Sequence, residues 1–114
     1  MLARAARLSA SRDFARIYRK GRSARSGFFR ISWMDTRALQ ARVAVVVSRK
    51  LSTKAVKRNR IKRQVRAIVT ELQPQVLPVD LVIQIQPQPL ERFTFAAMRT
   101  ELRDLLGKQR LLRP

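Results

Sequence analysis

Ten consecutive residues, Lys57-Arg58-Asn59-Arg60-Ile61-Lys62-Arg63-Gln64-Val65-Arg66, concentrate cationic hydrogen-bond donors of the type that engage phosphate. A guanidinium presents a planar fork that pairs with two phosphate oxygens at once, and an ammonium adds a compact point charge. Wound as a helix at about 100° per residue, the segment puts Ile61, Val65, Ile68, Val69 and Leu72 on one side. Lys62, Arg66, Asn59, Arg63 and Arg60 then fan across the other. No acidic residue occurs between Asp35 and Glu71, so the i,i+4 ion pairs that usually neutralise a solvated charged helix are missing here. The face therefore calls for an external polyanion, with Arg58, Asn59, Arg60, Lys62, Arg63 and Arg66 as contacts. Arg58 lies nearer the apolar side, where local packing or capping in the first turn is the alternative.

The rest of the composition narrows the chemistry further. Lys and Arg number 26 against 7 Asp and Glu, a net charge of +19 on 114 residues, and such a chain repels itself unless anions surround it. Histidine and cysteine are absent, which removes thiolate chemistry, disulfides, the commonest general base and the usual zinc ligands. The carboxylates Asp13, Asp35, Glu71, Asp80, Glu91, Glu101 and Asp104 are scattered without metal-ligand spacing. No catalytic residue and no metal ligand is expected on the chain itself, so any reaction would be carried by a partner or by metal ions held on phosphates. Hydrophobic residues make up 46% of the sequence, enough for a core in a single domain over residues 1–114. Residues 1–10 and 108–114 read as flexible basic tails. No apolar run approaches the roughly 20 residues that span a bilayer, and no secretory core is present near Met1, so a cytoplasmic protein is expected.

These residues need a scaffold, and hydrophobic periodicity supplies one of mixed α and β type. Ser11 can cap a short helix carrying Phe14, Ile17 and Tyr18, with Gly21 at its stop. Arg22–Ser26 reads as an edge strand and Phe28–Met34 as a strand alternating Phe29, Ile31 and Trp33 with Phe28, Arg30 and Ser32. After a polar turn, the valine run of Arg42–Ser48 reads as a buried strand. The basic helix must end before Pro74. Asp80–Gln86 is a further strand, and Phe95, Met98, Leu102, Leu105 and Leu106 mark a final amphipathic helix ending near Gly107.

This order, together with Arg58-Asn59-Arg60-Ile61-Lys62-Arg63-Gln64-Val65-Arg66, resembles the protein subunit of bacterial ribonuclease P. Asp13, Phe14, Ile17, Tyr18 and Gly21 match an N-terminal motif of that family, and a valine-rich strand closing in Ser48-Arg49-Lys50 follows in the same order. The resemblance implies an α+β sandwich in which a four-stranded sheet packs against helices in the order α-β-β-β-α-β-α. It also implies a left-handed β-α-β crossover, against the usual hand. In function it implies a subunit of an endoribonuclease that removes the 5′ leader from precursor tRNA, with the catalytic centre in an RNA partner and Mg²⁺ held chiefly by that RNA.

Two sites follow from the resemblance. The basic helix would contact the catalytic RNA or the substrate. A cleft between the first helix and the sheet would hold the single-stranded leader, lined by Phe14, Tyr18, Phe28, Arg30 and Ser32, with Ser48, Arg49 and Lys50 reaching its backbone. Family members often carry an aromatic residue near the Ser32 position, so here a stacking contact is lost or moves to Phe28, and Arg30 can stack its guanidinium on a base. Phe14 also fits an ordinary core position, Tyr18 is expected to be partly exposed, and Ser48, Arg49 and Lys50 also fit a solvated loop. Two other functions share the size and charge. One is a basic ribosomal protein. The other is a non-specific nucleic-acid binder, although no zinc finger, helix-turn-helix spacing or heptad seam supports it.

Overall fold

A computed structural model describes residues 11–36, 38–47, 51 and 54–114. Three helices, α1 (Ser11–Lys20), α2 (Ala55–Leu72) and α3 (Phe95–Lys108), surround the strands β1 (Arg22–Arg25), β2 (Phe29–Asp35), β3 (Arg42–Val47) and β4 (Val79–Ile85). The sheet order is β1-β2-β4-β3. Both β1 with β2 and β2 with β4 are antiparallel, and β3 runs parallel to β4. A parallel neighbour requires a crossover, and α2 supplies it. The expected buried strand is corrected in part: β3 lies at the edge of the sheet and is half-buried along its length apart from Val43, which is buried, so its valines cover the sheet without being enclosed on both faces.

One face of the sheet carries Phe29, Ile31 and Trp33 of β2, Val43 of β3, and Leu81, Ile83 and Ile85 of β4. Against them pack Ile61, Val65, Ile68, Val69 and Leu72 of α2 and Met98, Leu102, Leu105 and Leu106 of α3. Each fully buried aliphatic side chain contributes about 1.5–3 kcal/mol, so this layer is the main source of stability. The opposite face is smaller, with Ile17 of α1 seated on Val82 and flanked by Phe14, Met34, Ala44 and Val46. Gly21 ends α1 where only a glycine fits. Its N–H donates to the Ile17 carbonyl at 2.8 Å, and a Cβ there would lie 2.5 Å from the carbonyl oxygens of both Ile17 and Trp33. The Thr94 hydroxyl caps α3 by accepting from the Ala97 N–H at 3.2 Å.

Two further expectations are corrected. Strand β2 begins at Phe29, one residue after the sequence pattern suggests, because Phe28 belongs to the hairpin turn: the Ser26 N–H closes onto the Phe29 carbonyl at 2.8 Å. The C-terminal residues do not form a free tail. Arg110 adopts a positive φ of 58°, the chain reverses, Leu111 is buried, and Leu112 bridges to Val76. The Leu77 and Arg113 N–H groups donate to Leu111 and Gln75 carbonyls at 2.8 and 2.7 Å. Two apolar residues after the helix outweigh the basic character that reads as a solvated tail. Residues 1–10 lie outside the described residues.

Candidate nucleic-acid interface

The first surface is the solvent side of α2. Burial of Ile61, Val65, Ile68, Val69 and Leu72 fixes the rotation of the helix, and this leaves Lys57, Asn59, Arg60, Arg63 and Arg66 exposed. The cations divide into two rows. Arg58, Lys62 and Arg66 follow at four-residue spacing along one flank, while Lys57 and Arg60 lie on the other, facing residues 90–93. Lys62 is only partly exposed. Its burial, reinforced by the Arg66 charge, pushes the ammonium pKa below the usual lysine range. The first turn of α2 contains no acid and the cap residue Lys54 makes no side-chain cap hydrogen bond, so the positive end of the helix dipole adds to the side-chain charge. The one acid of the helix, Glu71, sits at the far end and is held by Arg99 at 2.9 Å, and this hydrogen bond lowers its pKa.

The second surface lies beside α1, and an ion-pair cluster determines its shape. Asp80 is fully buried in β4 opposite Arg42 in the β3–β4 register. Its carboxylate accepts from Arg42 Nε at 2.8 Å and Nη2 at 2.7 Å, and from Arg16 Nη2 at 3.4 Å. Asp13 stands 3.7 Å from Arg16 and 3.8 Å from Arg42. The bidentate bond to Asp80 raises the Arg42 pKa further above its already high value. The two carboxylates brought together by folding are thus committed to arginines. No group of three His, Cys, Asp or Glu that would suit a metal ion exists among the described residues.

With Asp13 and Arg16 anchored at the N-terminal ends of β3 and β4, the opposite flank of α1 faces along the strands. That flank carries Phe14, half-buried, and Tyr18, which is 56% exposed although its neighbour Ile17 is buried. The same face of the sheet carries a row across four strands, Arg25–Arg30–Gln84–Val46, each residue opposite the next in register. Arg30 is exposed there and Gln84 and Val46 are half-buried. Phe14 packs on the Ile17–Val82 cluster, and Arg30 stands on the same face of the sheet that α1 covers.

The other cleft candidates fall elsewhere. Ser32 points to the same face but is 5% exposed, so it belongs to the wall. Phe28 is a correction: its ring packs on Phe93 at 5.1 Å and on Phe29 at 6.1 Å, within the layer that faces α3, and Glu101 accepts from its N–H at 2.6 Å. As a turn residue it escapes the alternation that the sequence pattern extends to it. Ser48, Arg49 and Lys50 lie outside the described residues. Gln84, Val46 and Arg25 were not legible as cleft residues, because only the pairing register aligns them with Arg30.

The ribonuclease P protein-family model matches residues 2–110. The chain belongs to the ribonuclease P protein family. Among its relatives, the ribonuclease P protein component of Synechocystis sp. is 39% identical over 93 residues, covering 76% of this chain and 75% of that protein. That of Pseudanabaena sp. is 31% identical, covering 98% and 97%. The solved RNase P protein of Staphylococcus aureus superposes with a TM-score of 0.82 at 28% identity over 95% of this chain and 98% of that one. The Thermotoga maritima RNase P protein, solved in complex with 1-(4-fluorophenyl)-2-thiourea, gives 0.80 at 30% identity over 90% and 98%. Membership in this family makes the chain a protein component of a tRNA-processing ribonucleoprotein, and the four-stranded mixed sheet with three helices is the family's α+β fold. Among the described residues no helix is long and apolar enough to cross a membrane.

Proposed function

We propose that this chain is the RNA-binding subunit of a ribonuclease P endoribonuclease of the cytoplasm, holding the catalytic RNA through α2 and the single-stranded 5′ leader of precursor tRNA through the α1 cleft. The observation that carries the leader reading is Tyr18, an aromatic residue left in solvent on the helix that covers the sheet face where Arg30 and Gln84 stand. Base–aromatic stacking contributes about 1–3 kcal/mol per base and accepts any base, as a leader of varying sequence requires. Arg30 stacks or pairs with a phosphate, Phe14 supports the ring from the core side, and Arg58, Asn59, Arg60, Lys62, Arg63 and Arg66 supply charge and hydrogen bonds to RNA phosphates. Cleavage belongs to the RNA partner, with Mg²⁺ held there; the carboxylates that fold together here are already paired with arginine.

The test is a leader-length series of dissociation constants in assembled holoenzyme. Tyr18→Ala should weaken binding of a long-leader precursor by about 1–3 kcal/mol and leave mature tRNA unaffected, the loss shrinking as the leader is shortened. Equal losses on mature tRNA and long-leader precursor would remove Tyr18 from the leader site.

A further inference from the structure

On the sheet face away from the leader cleft, α2 and the connector before α3 border an open cavity of about 340 Å³ lined by Lys57, Arg60, Ile61, Gln64, Leu90, Glu91 and Phe93. Its volume falls in the range of ligand pockets. One wall is a stripe of α2 at positions i, i+3, i+4 and i+7. The other is a short 3-10 turn, Leu90–Arg92, stiffened by Pro87 and Pro89. That wall is braced against the β1–β2 hairpin: Gln88 Nε2 donates to the Gly27 carbonyl at 2.8 Å and Phe93 packs on Phe28. A wall fixed in this way needs little ordering when a ligand enters.

Three chemical features meet in the cavity. The half-buried Leu90 provides an apolar floor, continued by the small exposed parts of Ile61 and Phe93, 6% and 8% exposed. Lys57 and Arg60 provide two cations. Gln64 and Glu91 provide a polar edge, and Glu91 makes no ion pair among the described residues despite the 26 Lys and Arg of the chain. An inorganic anion would use the cations, waste the floor and be repelled by Glu91. A lipid headgroup has the same mismatch. A nucleotide has a flat apolar body for the floor, a phosphate for the cations and edge donors for the carboxylate. Guanine fits best, because its N1–H and N2–H₂ present two adjacent donors to one carboxylate.

We propose that this cavity binds an unpaired guanosine nucleotide of an RNA, with the base on Ile61, Leu90 and Phe93, the phosphate on Lys57 and Arg60, and the base edge on Glu91 and Gln64. The site shares Arg60 with the proposed α2 contact to RNA and deepens that reading, while it does not depend on the leader cleft. The experiment is a titration of the full chain, followed by the NMR signals of the Ile61 and Leu90 methyls and the Gln64 amide, with GMP, UMP or inorganic phosphate at matched ionic strength. GMP should produce saturable shifts at all three residues, with UMP weaker by at least about fivefold and phosphate leaving the methyls unmoved. Glu91→Gln, at an exposed position that leaves folding intact, should abolish the preference for GMP over UMP. Tyr18→Ala should leave GMP binding unchanged, so a failed leader series and a failed pocket are separately visible. Equal binding of all three probes, or a GMP preference that survives Glu91→Gln, overturns the assignment.

Discussion

Under the proposed function, Lys62 trades stability for binding. Its pKa is lowered in the folded chain by burial first and by Arg66 second, so the protonated form is disfavoured relative to the unfolded state. The resulting penalty is fully present below the folded pKa and is relieved as pH rises through that value toward the ordinary lysine pKa near 10.4. A phosphate placed beside Lys62 acts in the opposite direction and raises the pKa. RNA binding should therefore take up a proton in the alkaline range, and affinity should fall as pH rises there. Lys62→Met should raise the melting temperature of the free chain while lowering the salt slope of RNA binding by about one unit. Calorimetric melting and a salt titration check both. A variant that melts lower than wild type would show that the Lys62 charge is already satisfied without RNA.

At the scale of elements, α1 is held by little apolar area, since among the described residues Ile17 and Val82 are the only fully buried members of its layer. The Asp80 cluster compensates. Breaking a buried pair by removing one partner leaves an uncompensated charge, and among the described residues Arg42→Ala leaves Asp80 with only the 3.4 Å contact to Arg16. The expected cost is about 3 kcal/mol, read by denaturant melting, and the leader affinity should fall with it because α1 carries Tyr18. Arg42→Met combined with Asp80→Leu should cost less than Arg42→Ala alone, since no orphan charge remains. A larger loss in the double variant would mean that the cluster does more than anchor the helix. How far these elements were legible in the sequence depends on the range of the signal. The stripe of α2 was readable because Ile61, Val65, Ile68, Val69 and Leu72 repeat at a local period, and all five are buried. The row Arg25–Arg30–Gln84–Val46 was not, because it joins four segments through a register that no local pattern encodes. Asp80 likewise reads as a strand-edge charge until β3 brings Arg42 opposite it, and the Phe28 side chain was misassigned by one residue of strand boundary.

For the molecule as a whole, a chain of net charge +19 has a radius of gyration of 13.3 Å, the size of an ordinary compact domain of this length. The fold accommodates the charge by placing it away from both apolar layers, with α2 and its cations on one face of the sheet and the α1 cleft on the other. The compact state is therefore opposed by self-repulsion that an anion bound at specific positions would relieve. Millimolar sulfate should raise the melting temperature relative to chloride at matched ionic strength, saturating as RT ln(1 + [L]/Kd) requires. Sulfate also stabilises proteins generally through exclusion from their surface, but that effect grows without saturation and does not distinguish variants. Arg60→Gln together with Arg63→Gln changes two exposed residues of α2 and leaves its buried stripe intact. The double variant should lose the saturable part of the sulfate effect and retain the linear part. If wild type and the double variant respond identically, the cations of α2 act as scattered charges, and the RNA contact must then be sought in the cleft face alone.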